Sequence, residues 1–552
     1  MKNLRYLFTA AATAMTATAL ACTGLIAAPG ATADGSTLIT YAADSHTLYG
    51  ELYYKPAADH PKGSVRKVVE WDTGRLLGEI PEVAHTYTTI GNMNEHGLAI
   101  TESTWGGRHE LAGTGLIDYG SLIYITLERA RTAREALATM TDLVKTYGYA
   151  SEGESFTIAD PEEVWIMEMI GKGKADKGAV WVARRVPDDC ISGHANHSRI
   201  HRFPLKDKSG HTLYSPDVIS FARKQGYFKG KDEDFSFSRA YAVYDGGALR
   251  GCDGRVWSFY NKFAADSMDT YLDWVLRGKG DPLPLWVKPA KPLTASDMKW
   301  MMRDHFEGTP MDMTRDIGAG PYKVPYRWRP MSFVVDSVEY THERAIATQQ
   351  TGFSLVAQLN RNAPEQMRGV LWFGVDDANT CVYIPMYSCL AEAPHEFAVG
   401  NGDLYNLSWD AAFWVTNFVA NQAYNRYSQM IPDIRRVQCA MEDSIQTEVD
   451  MLYREVASLD PDVAVKFLND HAAEWSKKYT QSYRKLGEYL LVKYLDGNIK
   501  KERDGKFART ETGMPESPVF GGYDDRYFRS IANDPEGGER LKVLILPEEK
   551  TE

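Results

Sequence analysis

The feature that most constrains this chain is a cysteine standing where a mature protein can begin. Lys2 and Arg5 precede an apolar run from Tyr6 to Leu20 that closes on Ala19-Leu20-Ala21. A basic start, a short apolar centre and small residues at the end are the marks of a secretory signal peptide. Cleavage after Ala21 makes Cys22 the first residue, so that a thiol and a free α-amine share one residue. The amine titrates near ~7.7–8 and the thiol near ~8.5, and at neutral pH the amine can take the thiol proton without a positioned histidine. The residues that follow read as a hairpin. Thr23–Ala28 is a short apolar strand, Ala33-Asp34-Gly35-Ser36 carries an Asp-Gly turn, and Thr37–Tyr41 is a second strand. Asp44, just past it, can fold back to hold the new amino terminus by a charge-assisted hydrogen bond.

Further on, strands and helices come in blocks. Val65–Trp71, Val83–Ile90 and Gly97–Thr101 read as strands, with the Asn92–His96 turn before the last of them. Asp118 to about Tyr147 takes the helical period in two pieces, the second starting on Thr132-Ala133-Arg134-Glu135, a capping box. Strands resume over Glu154–Ala159, Val164–Met169 and Val180–Arg184. Residues 201–292 are less regular and read as an insertion, with one helical piece from Pro216 to Gln225. Met331–Val335, Ala345–Gln358, Val370–Phe373 and Cys381–Pro385 return to strand. From Ser408 the chain is helical for nearly a hundred residues. One long helix spans Pro432 to about Ser458, and a second starts on Asp460-Pro461 and runs to about Leu495, with Phe467, Ala472, Ala473 and Trp475 as its apolar face. Leu541–Leu546 reads as a final strand. Helices do not alternate regularly with strands, so the pattern is a layered α+β protein and not a doubly wound sheet.

The Cys-Thr start, the Ala-Asp-Gly-Ser turn and the acidic residue after the second strand resemble the C69 dipeptidase family of N-terminal nucleophile hydrolases. Three later segments carry the same resemblance: Gly91-Asn92-Met93-Asn94-Glu95-His96-Gly97-Leu98-Ala99, His194-Ala195-Asn196-His197-Ser198-Arg199-Ile200 and Phe306-Glu307-Gly308-Thr309-Pro310. The resemblance implies a four-layer αββα sandwich over residues 22–400, followed by a mostly helical region, 401–552, packed on that core. It implies a cysteine dipeptidase that needs no cofactor. Cys22 is the nucleophile, Asp44 orients its amine, and Asn196 donates to the oxyanion. Arg344 falls where related acylases carry an active-site arginine. Glu102 and Thr104, at the end of a strand that approaches the nucleophile, are candidates for binding the substrate, Glu102 through its free amine. One position departs from the family. An arginine often stands three residues before the acidic residue, and here that place is Tyr41, which leaves open how the thiolate is stabilised.

Composition bounds the alternatives. With 552 residues and a net charge of −12, the chain lacks the basic surface that a nucleic-acid partner requires. No second apolar run approaches the ~20 residues of a membrane span, so the expected location is periplasmic or extracellular, and a homo-oligomer is left open. A cysteine directly after a signal peptide can also be lipid-modified, which would anchor the protein and destroy the amine–thiol pair. Such sites usually have Leu three residues before the cysteine, and Ala19 stands there. The six cysteines show no zinc spacing, and His342-Glu343 and His395-Glu396 lack the second histidine of a metal motif, so no metal site is expected. Acylases of the same fold, acting on conjugated bile salts, penicillins or N-acyl amino acids, are the nearest rival activity; a ligand-binding surface lipoprotein is a rival of another class.

Overall fold

Apolar residues at alternate positions build two antiparallel sheets, each reached by the chain several times. The computed structural model describes residues 22–174, 176–242, 246–328 and 331–543. The expected signal peptide and its cleavage site therefore lie outside the described residues, as does half of the expected final strand, of which Leu541 belongs to a 3-10 turn, Glu539–Leu541. The first sheet has the order Trp286–Val287, Ile191–His194, Gly24–Ala27, Thr37–Asp44, Thr351–Leu359, Gly369–Val375, Ile384–Tyr387. The second has the order Thr212–Tyr214, Ala179–Arg185, Val164–Gly171, Gly153–Ala159, Ala99–Gly106, Met93–Asn94, Thr89–Ile90, Tyr54–Lys55.

The period of two assigns each face. In Val164–Gly171, Trp165, Met167 and Met169 join one apolar cluster with helices Tyr119–Leu127 and Ala133–Tyr147. Val164, Ile166 and Ile170 join the other, which contains the first sheet. Polar side chains also tie the two sheets together. His194 lies between the hydroxyls of Ser103, 2.6 Å from Nδ1, and Thr157, 2.7 Å from Nε2. Burial, with the charges of Arg199 and Arg255, pushes His194 down to about 3 and keeps it neutral. A Cβ on Gly24 would meet that ring at 2.8 Å, so only glycine lets the first strand pass it.

On its other side the first sheet carries helices. Pro461–Lys493 packs on strand Ile384–Tyr387 and on helix Ala412–Asn425. Its buried stripe, Leu468, Ala472, Trp475, Tyr479, Tyr483, Leu486 and Leu490, recurs every three or four residues. Phe467 and Ala473, expected on that face, are exposed, because the stripe runs one position away from them. The long helix before it is Tyr427–Glu455, with Pro432 in its second turn rather than at its start. The region 201–292 holds more helix than expected: besides Val218–Lys224, it contains Gly246–Gly251, Asp253–Phe263 and Leu272–Arg277. These helices have 11 residues or fewer, too short to print a clear period. No helix among the described residues is long and apolar enough to cross a membrane. All six cysteines are free thiols.

Candidate active site

The hairpin that follows Cys22 is closed by its own polar residues. Asp34 accepts from the Ser36 amide at 3.1 Å and the Ser36 hydroxyl at 2.7 Å, and Gly35 takes the left-handed conformation at φ 75°. Thr23 and Ala42 exchange backbone hydrogen bonds of 3.2 and 3.0 Å, which fixes the residue just before them. Cys22 is thereby held at the wall of a cavity of about 350 Å³. Asp44, Glu51, Asp72 and Glu102 line the same cavity, with the aromatic rings of Tyr41, Tyr53, Trp71, Tyr119 and Tyr124. Burial first, then the negative charges of Glu102 and Asp44, push the Cys22 thiol well above its usual range.

One wall of the site is built on arginines. Asp44, fully buried, accepts from Arg344 in an ion pair and from the Thr351 hydroxyl at 2.6 Å. Arg255, on helix Asp253–Phe263, reaches Cys22 itself: its Nη1 donates to the Cys22 carbonyl and to Thr23 Oγ1, both at 2.7 Å. Its Nη2 donates to Asn196 Oδ1 at 2.8 Å, and its Nε to the Gly251 carbonyl at 2.7 Å. The helix start is anchored by Asp253, which meets His197 Nδ1 at 2.9 Å and Trp274 Nε1 at 2.7 Å. Asn196 sits just past strand Ile191–His194 at φ 54°, a conformation that asparagine tolerates better than most residues. Its Nδ2 donates to the Thr104 carbonyl at 2.6 Å. Buried Glu168 accepts from Ser198 Oγ at 2.5 Å and from the Ile200 amide at 3.0 Å, which locks the next residues to the second sheet.

The opposite wall is built on carboxyls. The Tyr41 hydroxyl is 3.7 Å from Cys22 Sγ and donates to Glu102 Oε1. Glu102 and Glu154 are neighbours on the paired strands Ala99–Gly106 and Gly153–Ala159, and each is 1% exposed. Burial first, and then the Glu102 charge, raise Glu154 far above the usual carboxylate range; burial raises Glu102 as well. Across the cavity the Tyr119 hydroxyl donates to Asp72 at 2.8 Å.

Among the sequence-derived candidates, Cys22, Asp44 and Glu102 share the cavity, Arg344 pairs with Asp44, and Asn196 joins Cys22 through Arg255. Thr104 does not line the cavity. Its hydroxyl donates to Glu154 at 2.7 Å while its carbonyl holds Asn196. Sequence reasoning missed Arg255, Glu154, Asp72 and the Tyr41 contact. Arg255 is 233 residues from Cys22, inside the stretch read as irregular, and no local signal marked it. Among the described residues, no group of three or more His, Cys, Asp or Glu side chains is arranged to hold a metal ion.

Comparison with known proteins gives this arrangement a context. The family model described as peptidase family C69 matches residues 21–440. A probable dipeptidase of Salmonella dublin is 25% identical over 392 residues, covering 67% of this chain and 81% of the relative. One from Latilactobacillus sakei is 24% identical over 389 residues, covering 67% and 74%. A probable dipeptidase A of Streptococcus pyogenes serotype M3 (strain SSI-1) is 23% identical over 449 residues, covering 75% and 85%.

Proposed function

The chain belongs to peptidase family C69 and is a cysteine-type peptidase; from this premise we propose that it hydrolyses short unblocked peptides, dipeptides above all, through Cys22. Its fold is read as the four-layer αββα sandwich of N-terminal nucleophile hydrolases, two facing sheets covered by helices. Removal of residues 1–21 during export frees the Cys22 amine. That amine takes the thiol proton, so that the S–H bond breaks and an N–H bond forms, and the thiolate attacks the peptide carbonyl. Asp44, held by Arg344 and Thr351, orients the ammonium that results. An amide carries two N–H donors, and Asn196 supplies one to the oxyanion, a contribution of roughly 3–4 kcal/mol in comparable sites. The ammonium returns its proton to the leaving amine, and water hydrolyses the thioester.

The observation that carries this reading is the place of Cys22 in the cavity wall beside the Asp44–Arg344 pair. The substrate's own amine is assigned to Glu51 and Asp72, cavity carboxyls that lie in no ion pair among the described residues. Glu102, expected to take that role, lines the same cavity, and it accepts from Tyr41 as Asp72 accepts from Tyr119. The test compares kcat/KM of the mature protein for a dipeptide, its N-acetyl form and a conjugated bile salt, together with the Cys22→Ala variant. The expected result is loss of all hydrolysis in the variant and at least a ~100-fold preference for the free amine, the factor that ~3 kcal/mol of lost charge pairing gives. Full activity in Cys22→Ala would move the chemistry elsewhere; equal turnover of blocked substrates would make the protein an acylase.

A further inference from the structure

We propose that the Tyr41 hydroxyl is a catalytic hydrogen-bond donor to the Cys22 thiolate, and that the buried Glu102–Glu154 carboxyl pair behind it holds a proton that keeps Tyr41 turned towards sulfur. The proposal rests on the reading of Cys22 as nucleophile. It starts from the position three residues before Asp44, where resembling sequences often place an arginine. Tyr41 brings no charge there. It brings a single O–H, and that O–H has two neighbours: Cys22 Sγ at 3.7 Å and Glu102 Oε1.

One proton cannot serve both neighbours. With Glu102 ionised, Tyr41 donates to the carboxylate and turns a lone pair to sulfur, which accommodates a thiol and repels a thiolate. With Glu102 protonated, the carboxyl donates to the phenol oxygen and Tyr41 donates to sulfur, which stabilises the thiolate. The surroundings of Glu102 select the second state. Glu154 stands beside it on the neighbouring strand, with Oε1 taken by the Thr104 hydroxyl. Among the described residues, no amide, hydroxyl or cation donates to Glu102 Oε2 or Glu154 Oε2, both of which are buried. Two carboxyls so placed cannot both ionise at neutral pH without a cation between them; burial raises both, and the Glu102 charge raises Glu154 further.

The other charged and titratable groups facing this cluster do not supply that cation. Asp44 is matched by Arg344, Arg255 is engaged at the Cys22 carbonyl and Asn196, and Tyr119 and Asp72 across the cavity add no positive charge. When the thiol gives its proton to the Cys22 amine, no proton leaves the Glu102–Tyr41 chain, and its two O–H bonds only point towards sulfur.

The test is Tyr41→Phe in the mature protein, which removes one oxygen and keeps the edge contact with Phe353. Two readouts are taken across pH: kcat/KM for a dipeptide, and the rate of iodoacetamide alkylation of the Cys22-containing peptide by mass spectrometry. The expected outcome is a kcat/KM lower by about 10- to 100-fold, the range for a hydrogen bond to a charged group. The alkylation midpoint should move to higher pH by about one unit, with KM and the melting temperature little changed. In Glu102→Gln the amide N–H donates to Tyr41 at every pH, so the alkaline fall that wild type shows when the carboxyl pair ionises should vanish. Wild-type rates and alkylation midpoint in Tyr41→Phe overturn the proposal. If Cys22→Ala is inactive in the same series, only the role of Tyr41 falls; if it is active, the nucleophile reading falls with it.

Discussion

The two walls that meet at Cys22 handle buried charge in opposite ways. On the arginine wall each charge is answered: Arg344 by Asp44, and Arg255 by carbonyls, Thr23 Oγ1 and Asn196 Oδ1. On the other wall Glu102 and Glu154 are buried close together, with hydroxyls as partners and, among the described residues, no cation paired to them. Burial makes an ion expensive on either side. A complete set of partners offsets that cost in one case, and in the other a retained proton removes the charge altogether. The first solution holds geometry at any ordinary pH. The second is sensitive to pH by construction. Disturbing the arginine wall should therefore be felt in stability, and disturbing the carboxyl wall in the pH dependence of stability and rate.

The largest effect is expected from Asp44→Asn. Arg344 would lose its buried carboxylate, and breaking such a pair costs about 3 kcal/mol or more. Urea unfolding should show this, and Asp44→Asn combined with Arg344→Met should recover most of it. A cost below about 1 kcal/mol, no more than an exposed ion pair contributes, would remove the contrast between the walls.

Glu154→Gln should act in the opposite direction. The raised folded-state value of Glu154 means that the folded protein binds more protons than the unfolded one from about pH 4.3 upward, so stability falls as pH rises through that window. The amide cannot ionise, yet still accepts from Thr104. The variant should be more stable than wild type at pH 8, by ~1.4 kcal/mol for each pH unit over which the folded carboxyl keeps its proton, and nearly equal to it at pH 4. An unchanged slope of unfolding free energy against pH between 4 and 8 would mean that the pair holds no proton.

Thr104→Val should give the smallest effect. It removes one donor from Glu154 and costs about 1 kcal/mol, with KM for a dipeptide unchanged because the side chain does not line the cavity. A tenfold rise in KM would extend the substrate site behind the carboxyl wall.

What could be read from the sequence is what neighbouring residues determine. The hairpin is marked by Asp34-Gly35 and the helix at Pro461 by its cap, because a turn and a helix start are each decided within a few positions. Val164–Met169 reads as a strand and forms one, Val164–Gly171, but that both its faces are buried came from the structure. Of the apolar face read as Phe467, Ala472, Ala473 and Trp475, Ala472 and Trp475 are buried and the other two exposed, since helical period alone does not say which neighbour the face will meet. The tertiary structure alone decided that Arg255 reaches Cys22, that Glu154 comes close to Glu102, and that Tyr41 lies between the Cys22 sulfur and a carboxyl. Those contacts join strands and helices far apart in the chain. Their energies depend on burial and on what else is nearby, and neither quantity exists until the sheets have stacked.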